Sequence, residues 1–175
     1  MKPIYLAMIL MLTLTGCNAQ NETMSELAVG ETIPTFTLKD KNGNDFTVSE
    51  YLGKHHMVIY FYPKDDTPGC TKEACSFRDS FESFSEKGVK VIGISSDSPA
   101  SHKAFAEKHR LPFDLLSDPN NTVRMKFGVK GNLFGLIPGR VTFVVDKNGK
   151  ILHKFSSQMN AEQHVSESLA IINGL

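Results

Sequence analysis

Two predominantly apolar segments with a helical pattern between them constrain the fold of this chain more than any other feature. MVIYFY at 57–62 and VKVIGIS at 89–95 are rich in β-branched and aromatic residues, which is typical of buried strands. Between them, apolar residues recur at helical spacing from Ala74 to Phe84, which predicts one helix over 70–88. Strands that alternate with helices predict an α/β fold with a central sheet.

Turn signals and capping patterns complete the predicted order of elements. KNGN predicts a hairpin over 35–48, and KNGK predicts a second hairpin over 140–155. Ser98 and Pro99 resemble the N-cap and first position of a helix, and NAEQ at 160–163 resembles the capping box of a last helix. The closing strand–strand–helix order is typical of a thioredoxin-like fold, a mixed sheet flanked by helices, here with the first hairpin as an N-terminal extension.

The overall composition is that of one globular domain. The 175 residues are 41% apolar and 22% charged, and they are enough for one hydrophobic core. The net charge is zero, so the chain has no basic field that would attract nucleic acid. We therefore expect no nucleic-acid partner.

The first residues have the pattern of an export signal. Lys2 is followed by IYLAMILMLTL, an uncharged run too short to span a bilayer as a helix, which needs about 20 residues. The run ends in LTGC, which resembles a bacterial lipobox and so implies a diacylglycerol on the Cys17 thiol and cleavage before it. A plain signal peptide and an uncleaved start with a chance cysteine are the alternatives.

This N-terminal pattern divides the chain into three parts. Residues 1–16 are the expected signal peptide, and the polar residues 17–29 are the expected tether from lipidated Cys17. The folded domain is expected to run over 30–175. The arrangement predicts an exported, membrane-anchored lipoprotein that faces the periplasm or the cell exterior.

Two of the three cysteines lie within TPGCTKEAC, directly after a predicted strand and a Pro-Gly turn. This order places Cys70 at a helix N-terminus, where free N–H groups and the helix dipole stabilise a thiolate. Gly69 permits a small substrate to approach the backbone closely, and the Thr67 hydroxyl is near enough in sequence to reach the thiolate or a bound oxygen. Cys70 is therefore the candidate nucleophile.

The spacing of Cys70 and Cys75 favours a transient disulfide over a permanent one. On a regular helix, residues five apart have Cα atoms about 8 to 9 Å apart, whereas a disulfide requires about 7 Å or less. The bond can therefore form only when the first turns of the helix unwind. Oxidation of Cys70 to a sulfenic acid, followed by disulfide formation, suits this spacing.

The stretch FYPKDDTPGCTKEACSFRD closely resembles the peroxiredoxins, and among them the Q subfamily, also called bacterioferritin comigratory protein-like. The family pattern P-x-x-x-T-x-x-C is matched by Pro63, Thr67 and Cys70. The active-site arginine of the family precedes a late strand, and GRVTFVVDKNG supplies Arg140. The resemblance covers about residues 30–175 and includes the order of the elements.

This resemblance implies a thiol-specific peroxidase that reduces hydrogen peroxide and organic hydroperoxides in antioxidant defence. Cys70 would be the peroxidatic cysteine, whose thiolate attacks the peroxide and becomes a sulfenic acid. Arg140 would hold the thiolate and polarise the peroxide. The Thr67 hydroxyl would bond the reacting oxygens, and Pro63 would shield the site from water. Backbone N–H groups of Gly69 and Cys70 would complete the stabilisation of the leaving oxygen.

The same resemblance implies the rest of the cycle. Cys75 would be the resolving cysteine of an intramolecular disulfide, which a thioredoxin-like protein then reduces. No metal and no organic cofactor is implied, and the expected assembly is a monomer. The apolar, glycine-rich segment 130–140, which holds Phe134, is interpreted either as a loop that selects organic peroxides or as a loop packed on the core.

Several further polar residues are interpreted mainly as surface or turn residues. Glu73 either orients Arg140 or is an exposed glutamate near a helix N-terminus, and the second interpretation is favoured. His102 and His109 lie seven residues apart on one predicted helix and are expected to be solvated. The two aspartates of PKDD are interpreted as turn residues.

Two other functions are weighed against the peroxidase. An exported thiol-disulfide reductase on the same fold would use C-x-x-C, whereas this chain has C-x4-C. A non-catalytic peroxide sensor would use the same cysteine to signal, and catalytic turnover with a thioredoxin-like donor would distinguish it from an enzyme.

Overall fold

The computed structural model describes residues 26–132 and 137–175, which form a mixed seven-stranded sheet packed against helices. The predicted signal peptide, Cys17 and most of the predicted tether lie outside the described residues. The strands are β1 (Thr37–Asp40), β2 (Asp45–Thr47), β3 (His56–Phe61), β4 (Val89–Ser95), β5 (Asp114–Ser117), β6 (Gly131–Asn132), β7 (Ile137–Pro138), β8 (Val141–Val145) and β9 (Ile151–Ser156). The helices are α1 (Pro68–Asp79), α2 (Phe81–Ser85), α3 (Pro99–His109), α4 (Thr122–Lys126) and α5 (Ala161–Asn173).

The strand order brings two distant segments of the chain to one edge of the sheet. The order is β2-β1-β5-β4-β3-β8-β9, with β3, β4 and β5 parallel and the other pairs antiparallel, while β6 and β7 pair separately. Phe61 at the end of β3 pairs with Val141 at the start of β8. The loop after β3 therefore meets the residue before β8, Arg140.

Side chains of β3 enter the core on both faces of the sheet. Met57, Ile59 and Phe61 pack in the cluster that also includes Val123 of α4. Val58 and Tyr60 pack in the cluster under α1, α2, α3 and α5. Because both faces are covered, the strand is a continuous apolar run and does not alternate with polar residues.

Most predicted elements are confirmed. The hairpins β1–β2 and β8–β9, the buried strands β3 and β4, and the mixed sheet between helices all form as expected. Ser98 also caps α3 as predicted, because its side chain accepts a hydrogen bond from the Ser101 N–H at 3.3 Å.

Two predicted details are wrong. The single helix expected over 70–88 is two helices, α1 and α2, because Ser80 leaves the helical conformation with φ −101° and ψ 4°. The apolar side chains on either side of Ser80 still face the same core, since Phe77 and Phe84 pack in one cluster. At the start of α5, the Asn160 side chain makes no capping bond, and its backbone N–H instead donates to Ser157 Oγ at 3.1 Å.

Helices within the described ranges are all too short or too polar to cross a bilayer.

Candidate active site

Cys70 lies in the first turn of α1, at the edge of the sheet where the β3 loop meets the start of β8. The helix begins at Pro68, with Thr67 in the N-cap position. The Cys70 side chain is 1% exposed and carries a free thiol. The first N–H groups of a helix lack intrahelical partners and carry the positive end of its dipole. The position of Cys70 at the helix N-terminus is the one that the sequence predicts.

Arg140, the residue before β8, reaches the sulfur of Cys70. Its Nη2 donates to Sγ at 3.4 Å, and its Nη1 pairs with the carboxylate of Glu73. The guanidinium is buried, and the backbone N–H of the same residue donates to Gln158 Oε1 at 3.0 Å. Burial opposes the charge, but Glu73 and Cys70 together hold the pKa of Arg140 above its ordinary value. A fixed cation therefore faces the thiol.

Gly69 leaves the space that this guanidinium occupies. A Cβ atom built on Gly69 would lie 3.0 Å from Arg140 Nη2, so a larger side chain would press on the arginine. The glycine thus admits the cation to the helix N-terminus. Its predicted second purpose, the close approach of a substrate, stays a prediction.

Glu73 is fully buried beneath the site, so the favoured interpretation of an exposed glutamate is wrong. It lies one turn after Cys70 on α1 and pairs with Arg140, which is the orienting role that the sequence left as the alternative. Burial raises the pKa of Glu73 to about 8, although the guanidinium of Arg140 opposes this rise. Its second oxygen, Oε1, has no hydrogen-bond partner among the described residues and lies 3.5 Å from His164 Nδ1.

His164 on α5 is the neutral neighbour of Glu73. Its Nε2 donates to the carbonyl of Ser157 at 2.9 Å, and its Nδ1 lies 2.8 Å from the Thr142 hydroxyl, which donates to it. Burial is the main reason that the pKa of His164 falls to about 4. The contact with Glu73 is therefore not an ion pair at neutral pH, and sequence reasoning did not identify this histidine.

Replacing His164 with glutamine is expected to flatten the loss of stability in acid. An unfolded histidine titrates near 6.5 and the folded one near 4, so the unfolded state takes up the proton first as the pH falls through this window. Stability is therefore lost between these two pH values, by about 3 kcal/mol from this residue. Denaturant unfolding from pH 7 to pH 4 measures it, and equal slopes for the two proteins would contradict the assignment.

A buried hydrogen-bond network holds the loop that precedes Cys70. Asp65 accepts hydrogen bonds from the Tyr62 hydroxyl at 2.7 Å, the Ser101 hydroxyl at 2.7 Å and His102 Nδ1 at 2.9 Å. Burial opposes ionisation, but these hydrogen bonds hold the pKa of Asp65 below its ordinary value. His102 is fully buried, so the expectation that it is solvated is wrong. The network fastens the loop to the start of α3.

We expect Asp65→Asn to loosen this loop and to lower both stability and the rate of peroxide reduction. The amide keeps the shape of the carboxylate but weakens its three hydrogen bonds, which lowers the free energy of unfolding by about 1–3 kcal/mol. The rate should fall several-fold while KM for a donor protein changes little. Asp45→Asn, at an exposed ion pair with Lys39, is the control and should change neither quantity. Wild-type rates in Asp65→Asn would show that the loop does not depend on the network.

Thr67 and Pro63 lie where the sequence places them, in the loop before α1, and both are partly buried. The Thr67 hydroxyl donates to the carbonyl of Lys64 at 3.0 Å, and within the described ranges no hydrogen bond joins it to Cys70. Its oxygen keeps lone pairs that can accept a proton donor. The roles of both residues stay predictions.

Cys75 lies further along the same unbroken helix, partly exposed and with a free thiol. The two cysteines are therefore separated as the helical spacing requires, with no disulfide between them. Phe134 lies outside the described residues, so its predicted contact with substrate has no structural counterpart here.

Comparison with known proteins identifies the family of this chain. Residues 29–154 match the AhpC/TSA family. The chain is 48% identical over 161 residues to the chloroplastic peroxiredoxin Q of Populus jackii, covering 92% of this chain and 75% of that one. It is 53% identical over 143 residues to the chloroplastic peroxiredoxin Q of Arabidopsis thaliana, covering 82% and 66%.

Solved structures share the architecture. The peroxidoxin BcpB of Mycobacterium tuberculosis superposes with a TM-score of 0.78 at 39% identity, covering 84% of this chain and 97% of that one. The bacterioferritin comigratory protein of Xanthomonas campestris, described for its alkyl peroxide reduction activity, superposes with a TM-score of 0.72 at 31% identity, covering 79% and 90%. The predicted thioredoxin-like fold is therefore confirmed.

A buried cysteine at a helix N-terminus, held by an arginine on this fold, defines a peroxiredoxin, and the chain belongs to the AhpC/TSA family, in its peroxiredoxin Q group. It is a thiol-dependent peroxidase, an oxidoreductase that acts on peroxides through a peroxidatic cysteine.

Proposed function

We propose that Cys70 is the peroxidatic cysteine and that Arg140 activates it. The observation that supports this most strongly is the 3.4 Å contact between Arg140 Nη2 and Cys70 Sγ at the start of α1. The Cys70 thiolate attacks one oxygen of the peroxide, the S–O bond forms and the O–O bond breaks. The leaving oxygen departs as hydroxide or alkoxide and takes up a proton. Arg140 and the N–H groups of Gly69 and Cys70 stabilise the charge that develops on the oxygens.

Three further assignments belong to this proposal. The Thr67 oxygen accepts a hydrogen bond from the peroxide O–H, since its own proton is directed to Lys64. Pro63 shields the sulfur from bulk water. Phe134 contacts the organic part of larger hydroperoxides. If so, Phe134→Ser lowers the rate with a bulky hydroperoxide and spares the rate with hydrogen peroxide.

Cys75 is the resolving cysteine of the proposed cycle. Its thiolate attacks the sulfur of the Cys70 sulfenic acid, an S–S bond forms, the S–O bond breaks, and the released hydroxide takes a proton to become water. A thioredoxin-like protein then reduces the disulfide. The spacing of the two cysteines on α1 supports this order, because the disulfide needs an unwound helix and so forms only transiently.

The test of the proposal is a single-turnover measurement with the reduced chain and one equivalent of hydrogen peroxide. Cys70→Ser is expected to abolish rapid loss of peroxide. Cys75→Ser is expected to keep it and to leave a sulfenic acid that an alkylating probe for this group captures. Rapid peroxide loss in Cys70→Ser would assign the nucleophile elsewhere.

We also propose that residues 1–16 are a signal peptide and that lipidated Cys17 anchors the domain, a monomer, to a bacterial membrane through a short tether. The LTGC sequence after a short apolar run supports this. The plant relatives are named as chloroplastic proteins, whereas LTGC favours a lipid anchor for this chain. In a bacterial host, globomycin should cause the precursor to accumulate, and Cys17→Ser should abolish lipid labelling. Cleavage that continues in the presence of globomycin would contradict lipoprotein processing and indicate a plain signal peptide.

A further inference from the structure

His109, the last residue of α3, lies between Cys75 and the loop that precedes α1. Its Nδ1 is 4.0 Å from Cys75 Sγ, and its Nε2 is 3.2 Å from Asp66 Oδ1. The ring is packed edge-on against Phe105, and the His109 side chain is only 19% exposed, so the expectation that it is solvated is wrong. The end of α3 therefore meets α1 and the loop that precedes α1 in an Asp–His–Cys arrangement.

The hydrogen bond to Asp66 fixes which nitrogen of His109 carries the proton. Hydrogen bonds from Lys108, at 2.7 Å, and from His109 hold the pKa of Asp66 below its ordinary value, so this carboxylate only accepts. Nε2 must then donate, and in the neutral ring Nδ1 keeps a lone pair that faces the sulfur of Cys75. An aspartate that orients a histidine toward a thiol is the recurring geometry of an activated cysteine.

Arg78 holds the two helices in this arrangement. Its Nη1 donates to the backbone carbonyl of His109 at 2.8 Å, which ties α1 to the end of α3. Its side chain also contacts Asp79 at 2.8 Å, and its positive charge lies near Cys75. The charged and titratable groups that face Cys75 and His109 are thus Asp66 from the loop, Arg78 from α1 and Lys108 from α3.

We propose that His109 is the general base that generates the Cys75 thiolate for the second step, positioned by Asp66. The inference rests on the proposed role of Cys75 as the resolving cysteine. While α1 is folded, Nδ1 of His109 takes the proton of the Cys75 thiol. When the first turns unwind, the thiolate attacks the sulfur of the Cys70 sulfenic acid, and the S–O bond breaks. The hydroxide that leaves takes up a proton, which balances the one held by His109, and one water is formed.

This base meets a specific need of the cycle. A cysteine with an ordinary pKa is only about 3% thiolate at pH 7. The helix N-terminus and Arg140 activate Cys70, but Cys75 lies beyond that first turn and has neither neighbour. His109 and Arg78 are the corresponding neighbours of Cys75, so each cysteine of the proposed cycle is activated by its own set of groups.

The first experiment measures the thiolate of Cys75 without any peroxide chemistry. In the full chain carrying Cys70→Ser, the rate of alkylation of Cys75 by iodoacetamide is followed by mass spectrometry of its peptide, so that Cys17 does not contribute. His109→Gln should lower this rate by about tenfold at pH 7, because alkylation follows the thiolate fraction. Asp66→Asn, which keeps the imidazole and tolerates the positive φ of 55° at this position, should lower it less.

A matched control and a pH series separate a base from a structural residue. When His153→Gln, in β9 away from Cys75, is added to the Cys70→Ser parent, Cys75 should be alkylated at the same rate as in the parent. Between pH 6 and pH 9, the parent should show the shallower rise in rate, and His109→Gln the steeper rise of an ordinary thiol. A structural role for His109 would lower all rates by one factor and leave the profile unchanged, which would overturn the proposal.

The second experiment follows disulfide formation in the chain with both cysteines after one equivalent of hydrogen peroxide. The ratio of disulfide formation to peroxide loss should fall in His109→Gln. If alkylation of Cys75 does not respond to His109→Gln, the inference fails and the role of Cys70 stands. If alkylation responds but the wild type forms no Cys70–Cys75 disulfide, the resolving role of Cys75 fails, and the role of His109 in it fails too.

Discussion

Arg140→Met is expected to slow the reaction of Cys70 with hydrogen peroxide by about a hundredfold or more. The substitution removes the cation that touches the sulfur, and the loss of one such donor costs about 10²–10³ in rate. It also leaves Glu73 buried without its partner, which is expected to lower the free energy of unfolding by about 3 kcal/mol. Stopped-flow peroxide loss and guanidinium unfolding measure the two effects.

The double variant Glu73→Gln with Arg140→Met separates stability from chemistry. Glutamine removes the buried carboxyl, so the double variant should recover much of the stability but none of the rate. In Arg140→Met alone, the loss of unfolding free energy should grow as the pH rises above the ordinary pKa of a glutamate. Glu73 then ionises in the unfolded state, whereas its buried carboxyl stays protonated in the folded state. Arg110→Met, at an exposed arginine, is the control. Recovery of the rate in the double variant would contradict a direct role for Arg140.

The second large effect is expected in α1, which should lose its first two turns when Cys70 and Cys75 form a disulfide. In the reduced protein these turns are an unbroken helix, and a disulfide cannot span that geometry. Amide hydrogen exchange of the peptide that covers 68–76 should therefore speed up by about a hundredfold or more after one equivalent of peroxide, as expected for loss of a local cooperative unit.

Cys75→Ser is the matched control for this transition. It can form the Cys70 sulfenic acid but no disulfide, so its exchange should stay close to that of the reduced protein. The amide hydrogen exchange of peptides from β4 should not change after peroxide in either protein. Equal protection of α1 in the reduced and the disulfide form would show that the bond forms without unwinding.

Much of the fold could be predicted because its signals are local. The strands β3 and β4 are predominantly apolar and rich in β-branched residues, and Ser98-Pro99 is a helix start that needs no tertiary partner. The break at Ser80 could not be predicted in this way, since serine is no strong helix breaker and the apolar spacing continues across it. Asn160 does not cap α5 with its side chain because its backbone, with φ −96° and ψ 66°, is not extended, and the Gln163 N–H donates to the Asn160 carbonyl at 3.1 Å instead.

The site residues, too, could be predicted where the signal is local and were missed where tertiary packing decides. Cys70 follows from a strand–turn–helix pattern, and the resemblance to the peroxiredoxins supplies Arg140. Burial of Glu73 was missed although a signal was present: it lies on the same helix face as Ala74 and Phe77, which pack in the core. His164 could not be found, because only the packing of α5 against α1 brings it to Glu73.

The residues that open α1 place a limit on how this enzyme can be made more robust. Gly69, Cys70 and Thr71 in the first turn are weak or poor helix formers, while Phe77, stacked on Tyr60 with ring centroids 4.7 Å apart, anchors the later turns. A substitution such as Thr71→Ala raises helix propensity and so makes the native state harder to melt. The same substitution opposes the opening of α1 that the proposed Cys70–Cys75 disulfide requires. At this helix, thermal robustness and the proposed catalytic turnover are therefore expected to compete.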